Sequence, residues 1–370
     1  MGNYRKDSYI MEGAGKDKTR FEFIDMSKGL AMACIILGHY YIGCYPMIRR
    51  IIYPFHVPIF FLISGFFLKR AVVRYRPGIF IRKKAKALLF PYVFSCVVMI
   101  VIAIIQDSFW RDFKDIPINV FQLICSSIYG GGVKGAVYPM GYEYNWIGAL
   151  WFLPALFEAL VLTYLIVYFV ENWAAQILCV FSMMVIGILS ATCIPFQIPF
   201  ALASGMTTVI YVYIGFLVSK SNLESNSNVK SLLVGLMGMA GWYVAVRYHL
   251  IPSCAQAIYG GSIGKIVITI ICSIVVSFSI TIIMKWYSYF LERPGVLEYI
   301  GRNSMIVMCV HAIELRIVNW SKIFKCLSRK FGIEMSYKEQ VMFRVFFIGT
   351  VTIIAVNFIS CIRRKADEKN

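Results

Sequence analysis

Charge is scarce in this chain. Of its 370 residues, 15% are Asp, Glu, Lys or Arg and only 19 are acidic, where a soluble domain carries about a quarter charged positions. Histidine is scarcer still, with four copies. The eleven cysteines fall singly and mostly inside apolar stretches, as at Cys34, Cys96, Cys179 and Cys272. No metal-type pairing occurs among them, so no metal is expected, and they read as small buried hydrophobes rather than disulfides. The first 28 residues are polar and basic and lack the apolar core of a cleavable signal; residues 1–27 read as a cytosolic tail. There is no internal repeat of fixed period and no soluble domain of useful size.

What the chain has is apolar length. Hydrophobic residues make up 59% of it, and they gather in runs long enough to cross a hydrocarbon core about 30 Å thick, which takes roughly 20 residues of helix. The expected fold is therefore an all-α integral membrane protein of about ten transmembrane helices. The runs fall near 29–46, 51–68, 87–106, 147–170, 174–192, 201–218, 231–248, 263–284, 304–320 and 341–362. Residues 28–362 form one membrane domain and 363–370 a cytosolic tail.

The net charge of +18 would suggest nucleic acid in a soluble protein. Here the cations flank apolar runs, so they report topology and anionic lipid instead, and no nucleic-acid partner is expected. With both termini inside, the cytoplasmic segments hold most of the 37 basic residues, including Lys28 and the cluster Arg82, Lys83, Lys84 and Lys86. The stretch from Lys322 to Lys338 runs against this pattern. The longest outer segment, 107–146, carries Tyr138, Tyr142, Tyr144 and Trp146. Those rings suit either the face of a sugar or an interfacial aromatic belt. The stretch Phe121 to Tyr129 suits a segment lying on or dipping into the outer interface.

Ionisable groups inside a bilayer are costly and mark function. In the expected spans they are His39, His56, Glu158, His311, Glu314 and Arg316. Lys28 and His39 are eleven residues apart, which on one helix places them on nearly the same face with a rise of about 16 Å. That separation suits a ligand with a phosphate head and a reactive tail. The pantetheine arm of an acyl-coenzyme A is about that long. Lys28, with Lys83, Lys84 and Lys86, would hold phosphates at the cytosolic edge, and His39 would meet the thioester. A neutral imidazole, with its ordinary pKa of about 6.5, can take a hydroxyl proton or attack the thioester itself. The alternative for His39 is a hydrogen-bonded packing residue. His56 either faces the same cavity or bonds a backbone carbonyl, and Pro58 is expected to kink its helix. Glu158, one or two turns after Trp151 and Pro154, has three readings: a pair with His311, an orienting group for an acceptor hydroxyl, or a polar clamp between helices. His311 and Glu314 are i, i+3 and share a face, and Arg316 either reaches outer water or pairs with Glu314.

These residues carry a resemblance. The run from Arg20 through Asp25 and Lys28 to Gly29, continuing to Ile35, Gly38 and His39, resembles the opening signature of membrane acyltransferase family 3, closest to the fucose 4-O-acetylase-like subgroup. Phe55 to Phe67 is similar to the family's second helix. The basic run before Pro91 and Tyr92, the Trp151–Leu153 entry, and the stretch from Asn303 to His311 also fit. The resemblance implies a ten-helix core in a bacterial plasma membrane. It implies transfer of an acyl group, usually acetyl, from cytosolic acetyl-CoA as co-substrate to a hydroxyl of an extracytoplasmic polysaccharide or glycolipid. It makes Lys28 and His39 the essential basic residue and histidine, with Asp25 orienting Lys28. It matches Lys83 and Lys86 to a second basic pair, and leaves His56, Trp151, Glu158 and His311 as acceptor-side candidates. Many relatives carry Arg where this chain has Lys28; the charge is kept and the bidentate fork is lost. Two other functions remain open at this stage: a carrier or flippase for a lipid-linked sugar, and acyl transfer to a non-glycan acceptor. The oligomeric state, homo-oligomer included, is open as well.

Overall fold

The computed structural model describes residues 21–41, 46–109, 120–131, 147–194, 196, 198–220, 229–248, 263–289 and 295–367. Among them the chain is helical, with no strand. Most of the N-terminal tail and the aromatic residues Tyr138, Tyr142, Tyr144 and Trp146 lie outside the described residues.

Among the described residues, seven helical stretches are long and apolar enough to cross a membrane by length and composition: Pro77–Ile105, Gly148–Phe169, Trp173–Cys193, Pro199–Ser219, Val229–Arg247, Ile266–Ser288 and Tyr337–Ile362. The other three expected spans coincide with more polar or shorter helices. Helix α1 (Glu22–Tyr41) is continuous over 20 residues but carries Asp25, Lys28 and His39. The second expected span is not one kinked helix. It is divided into α2 (Pro46–Ile52), α3 (Pro58–Phe66) and α4 (Leu68–Arg74), because Pro58 has no N–H to continue the ladder and takes the first helical position instead. The ninth corresponds to a helix of 14 residues, Ser304–Ile317.

The segment after α4 builds the basic cluster. Helix α5 (Pro77–Lys84) passes through a five-residue π-turn, Ala85–Leu89, into α6 (Phe90–Phe109). A short helix α7 (Val120–Tyr129) follows, too short to span, with Leu123 and Ser126 buried and Phe121 exposed. It is held to α6 by a hydrogen bond from the Tyr92 hydroxyl to the Ser127 carbonyl. The chain then enters α8 (Phe152–Phe169) by a 3₁₀ turn, Gly148–Trp151, that starts at φ +72° on Gly148, a conformation glycine adopts without a Cβ penalty. Helices α9 (Trp173–Cys193), α10 (Leu202–Lys220), α11 (Val229–Arg247) and α12 (Ile263–Ser288) complete the middle. The C-terminal part comprises α13 (Val296–Arg302), α14 (Ser304–Ile317), α15 (Trp320–Phe331) and α16 (Tyr337–Asp367).

Lipid tails are as apolar as the side chains, so close backbone approach has to hold such helices together, and small residues permit it. Two crossings do this reciprocally. In α3 and α10, a Cβ on Gly65 would lie 2.0 Å from the Val212 carbonyl oxygen and one on Gly215 2.0 Å from that of Leu62. In α1 and α13, a Cβ on Gly29 would lie 1.8 Å from the Leu297 carbonyl oxygen and one on Gly301 1.7 Å from that of Asp25. Backbone cannot give way at such distances. Gly301→Ala is expected to cost the detergent-solubilised protein about 3 kcal/mol, the upper end of overpacking penalties, read as a fall in thermal unfolding midpoint. Gly241→Ala, on α11 with nothing within 4 Å of the added methyl, is expected to leave the midpoint unchanged or raise it slightly.

The basic stretch that runs against the charge pattern begins on helix α15. The helix's buried side, Trp320 and Phe324, packs edge-to-face on Phe343 and Phe347 of α16, while Lys325, Arg329 and Lys330 are exposed. It is an amphipathic helix on the bundle, capped by Asn319 and ended by Gly332 at φ +65°.

Candidate active site

The site is built along α1. Acidic residues in its first turn and His39 in its last suit the helix dipole. Ile24, Ala31, Met32 and Ile35 are buried, so the polar residues share a helix anchored by its apolar side. Because α1 is unbroken, Lys28 and His39 hold the expected separation of about 16 Å. Lys28 Nζ donates to Asp25 Oδ1 at 3.2 Å, an ion pair one turn apart on the same helix. Across the glycine crossing, α13 adds a second acid–base pair: the nearly buried Glu298 carboxylate accepts a hydrogen bond from Arg302.

At the other end of α1, His39 stands beside His311 of α14, with ring centroids 5.5 Å apart. Around them a polar cluster converges on one carboxylate, Glu314, which is 2% exposed. Its Oε1 accepts from Arg344 Nε at 3.0 Å and Nη2 at 2.7 Å, and from Trp320 Nε1. Its Oε2 accepts from the Tyr40 hydroxyl at 3.1 Å and lies 3.4 Å from His311 Nδ1. The Arg344 guanidinium also sits 3.8 Å above the Tyr40 ring, and the Tyr337 hydroxyl donates to the Tyr40 carbonyl. Helices α1, α14, α15 and α16 thus meet at a single buried anion. A carboxylate in such a place needs several donors, and here it has them.

The remaining candidates are placed as follows. His56 lies in the turn between α2 and α3, and its Nδ1 is 3.0 Å from the Ile52 carbonyl. Glu158 does not pair with His311. It packs against Gly205 of α10, where a Cβ would meet its Oε2 at 2.7 Å, and that buried oxygen has no hydrogen bond among the described residues. Arg316 does not reach Glu314, whose cation is Arg344; its buried Nε likewise lacks a partner among the described residues. Trp151 is half-buried at the end of the 3₁₀ turn, which packs on α14 and so stands next to the His311 helix. Lys83 Nζ sits 3.9 Å over the Tyr75 ring and Lys84 Nζ 5.7 Å over that of Phe80. Lys83 and Lys86 are exposed and Lys84 half-buried. This cluster is built on α8, where Tyr164 stacks on Phe80 at 4.0 Å and donates to the Tyr75 carbonyl at 2.6 Å.

Tyr40, Glu298 and Arg344 were not singled out by sequence reasoning. Arg344 is a charge inside the last expected span and carries the same signal as the six ionisable groups named above. Tyr40 and Glu298 carry none, since neither residue type is unusual where it stands.

The architecture and the buried polar cluster define a multi-pass membrane protein with two adjacent histidines among its helices. Residues 21–361 match the acyltransferase domain of acyltransferase family 3; the chain belongs to this family of membrane acyltransferases. No curated protein and no solved structure matches it.

Proposed function

We propose that the protein is an O-acetyltransferase of the bacterial plasma membrane, in the fucose 4-O-acetylase-like subgroup. It moves acetyl from cytosolic acetyl-CoA to a hydroxyl of an envelope polysaccharide or glycolipid sugar. The membrane domain is residues 28–362, with ten spans and both termini in the cytoplasm. One observation carries the reading: a single rigid helix bears a carboxylate-oriented lysine at one end and, about 16 Å along it, a histidine beside a second histidine. Lys28, with Lys83, Lys84 and Lys86, engages the phosphates of the donor. The pantetheine arm runs along α1 and brings the thioester to His39. The acceptor enters between α1, α8 and α14, against Trp151, Glu158, His56 and His311. His39 takes the acceptor's hydroxyl proton as its oxygen bonds to the carbonyl carbon. The carbon–sulfur bond then breaks, and the leaving thiolate recovers a proton.

The test uses membranes from cells with and without the protein, supplied with acetyl-CoA labelled in its acetyl group. Label entering extracted envelope glycan only when the protein is present, together with thermal stabilisation of the purified protein by coenzyme A, supports the reading. No label in glycan and no stabilisation by coenzyme A, with proton-coupled sugar movement in vesicles instead, would establish a carrier.

A further inference from the structure

His311 is fully buried, and both of its ring nitrogens lack a hydrogen bond among the described residues. One of them, Nδ1, nevertheless faces Glu314 Oε2 at 3.4 Å. A carboxylate at that position favours the tautomer with the proton on Nδ1 and leaves the Nε2 lone pair as a proton acceptor, the arrangement by which a carboxylate orients an imidazole base in hydrolytic triads. The carboxylate is itself fixed. Arg344 and Trp320 occupy Oε1, so Oε2 is left to Tyr40 and His311. Four helices supply these groups, and a packing histidine needs none of them.

The geometry points to His311 as the residue that holds the proton His39 takes, with Glu314 as the carboxylate that positions it. This rests on the reading of His39 as the base. In the transfer step the acceptor's O–H proton passes to His39 while the carbon–oxygen bond forms. It moves on to His311, whose ring centroid stands 5.5 Å from that of His39: a turn of either ring brings Nε2 within hydrogen-bond reach, and the resulting imidazolium faces Glu314 Oε2. When the carbon–sulfur bond breaks, the proton returns through His39 to the coenzyme A thiolate. The products are the acetyl ester and the free thiol, and no oxidant or further reactant is needed. Glu314 touches no substrate; it acts through His311.

The experiment measures initial rates of label transfer from acetyl-CoA in membrane vesicles with their endogenous acceptor, at saturating donor and across a donor titration. His311→Asn is expected to lower the saturated rate about 10²-fold, with the apparent KM for acetyl-CoA unchanged within about threefold. Glu314→Gln is expected to do the same, and the double variant to be no slower than His311→Asn alone, because residues acting as one unit are non-additive. Where Glu314→Gln fails to fold, as judged by its melting in detergent, Tyr40→Phe replaces it: it removes one donor to Oε2, keeps the ion pair, and is expected to slow transfer severalfold only while His311 is present. Wild-type rates for His311→Asn, or single effects that multiply in the double variant, would overturn the inference. Loss of the His39 reading is a separate result: His39→Ala transferring at the wild-type rate.

Discussion

Membranes carrying His39→Ala are expected to transfer acetyl from acetyl-CoA about 10³-fold more slowly than wild type, within the range that positioned acid–base groups supply. The donor should bind almost as well, because of the lysines proposed to hold its phosphates Lys28 lies three turns away on the same helix and Lys83, Lys84 and Lys86 lie on a different segment. The rate at saturating donor therefore falls while coenzyme A still raises the melting temperature. Such a split removes an interaction made only in the transition state. Lys28→Ala should show the opposite: a higher apparent KM for acetyl-CoA, weaker stabilisation by coenzyme A, and a saturated rate nearer to wild type. His39→Ala at full activity would exclude this imidazole from the chemistry, and loss of coenzyme A binding in the same variant would make it a structural residue.

The largest expected effect on stability lies at Arg344. Arg344→Met leaves Glu314 buried with its cation gone, and breaking a buried pair from one side costs about 3–5 kcal/mol. The Tyr40 and Trp320 donors remain but supply no charge. The purified variant should melt well below wild type in detergent. Adding Glu314→Gln to Arg344→Met should recover part of the loss, since a neutral amide in that cavity no longer demands a counter-charge. An unchanged melting temperature for Arg344→Met would mean that Glu314 is neutral in the resting protein.

Much of the outline was legible in the sequence because bilayer thickness imposes it. Seven apolar stretches coincide with expected spans, and the spacing of Lys28 and His39 was readable because a helix has one period. The second expected span was misread as a kinked helix because hydropathy is blind to hydrogen bonding: Pro58 falls within an apolar run, and the run stays apolar where the helix stops. One of the three readings of Glu158, a pair with His311, rested on similar depth, which says nothing about azimuth. The carboxylate that serves His311 is its own neighbour three positions on, and the cation that fixes that carboxylate comes from α16, a partner only tertiary packing brings close. The π-turn at Ala85–Leu89 had no sequence signal, since its residues are ordinary helix formers.

The glycine crossing of α1 and α13 has a mechanical consequence. With the Asp25 and Leu297 carbonyls lodged where side chains would otherwise stand, the two helices cannot slide or rotate past one another without collision. They form one solid piece that carries Lys28, Asp25, Glu298 and Arg302 at its near end and His39 at its far end. If Lys28 grips the donor and His39 meets its thioester, as proposed, the distance between them is set by the one helix that carries both, like the span of a caliper. A donor with a shortened arm, such as acetyl-CoA lacking part of its pantetheine, would be gripped and still fall short of His39. On that reading, selection among donors rests on reach rather than on contacts with the acyl group.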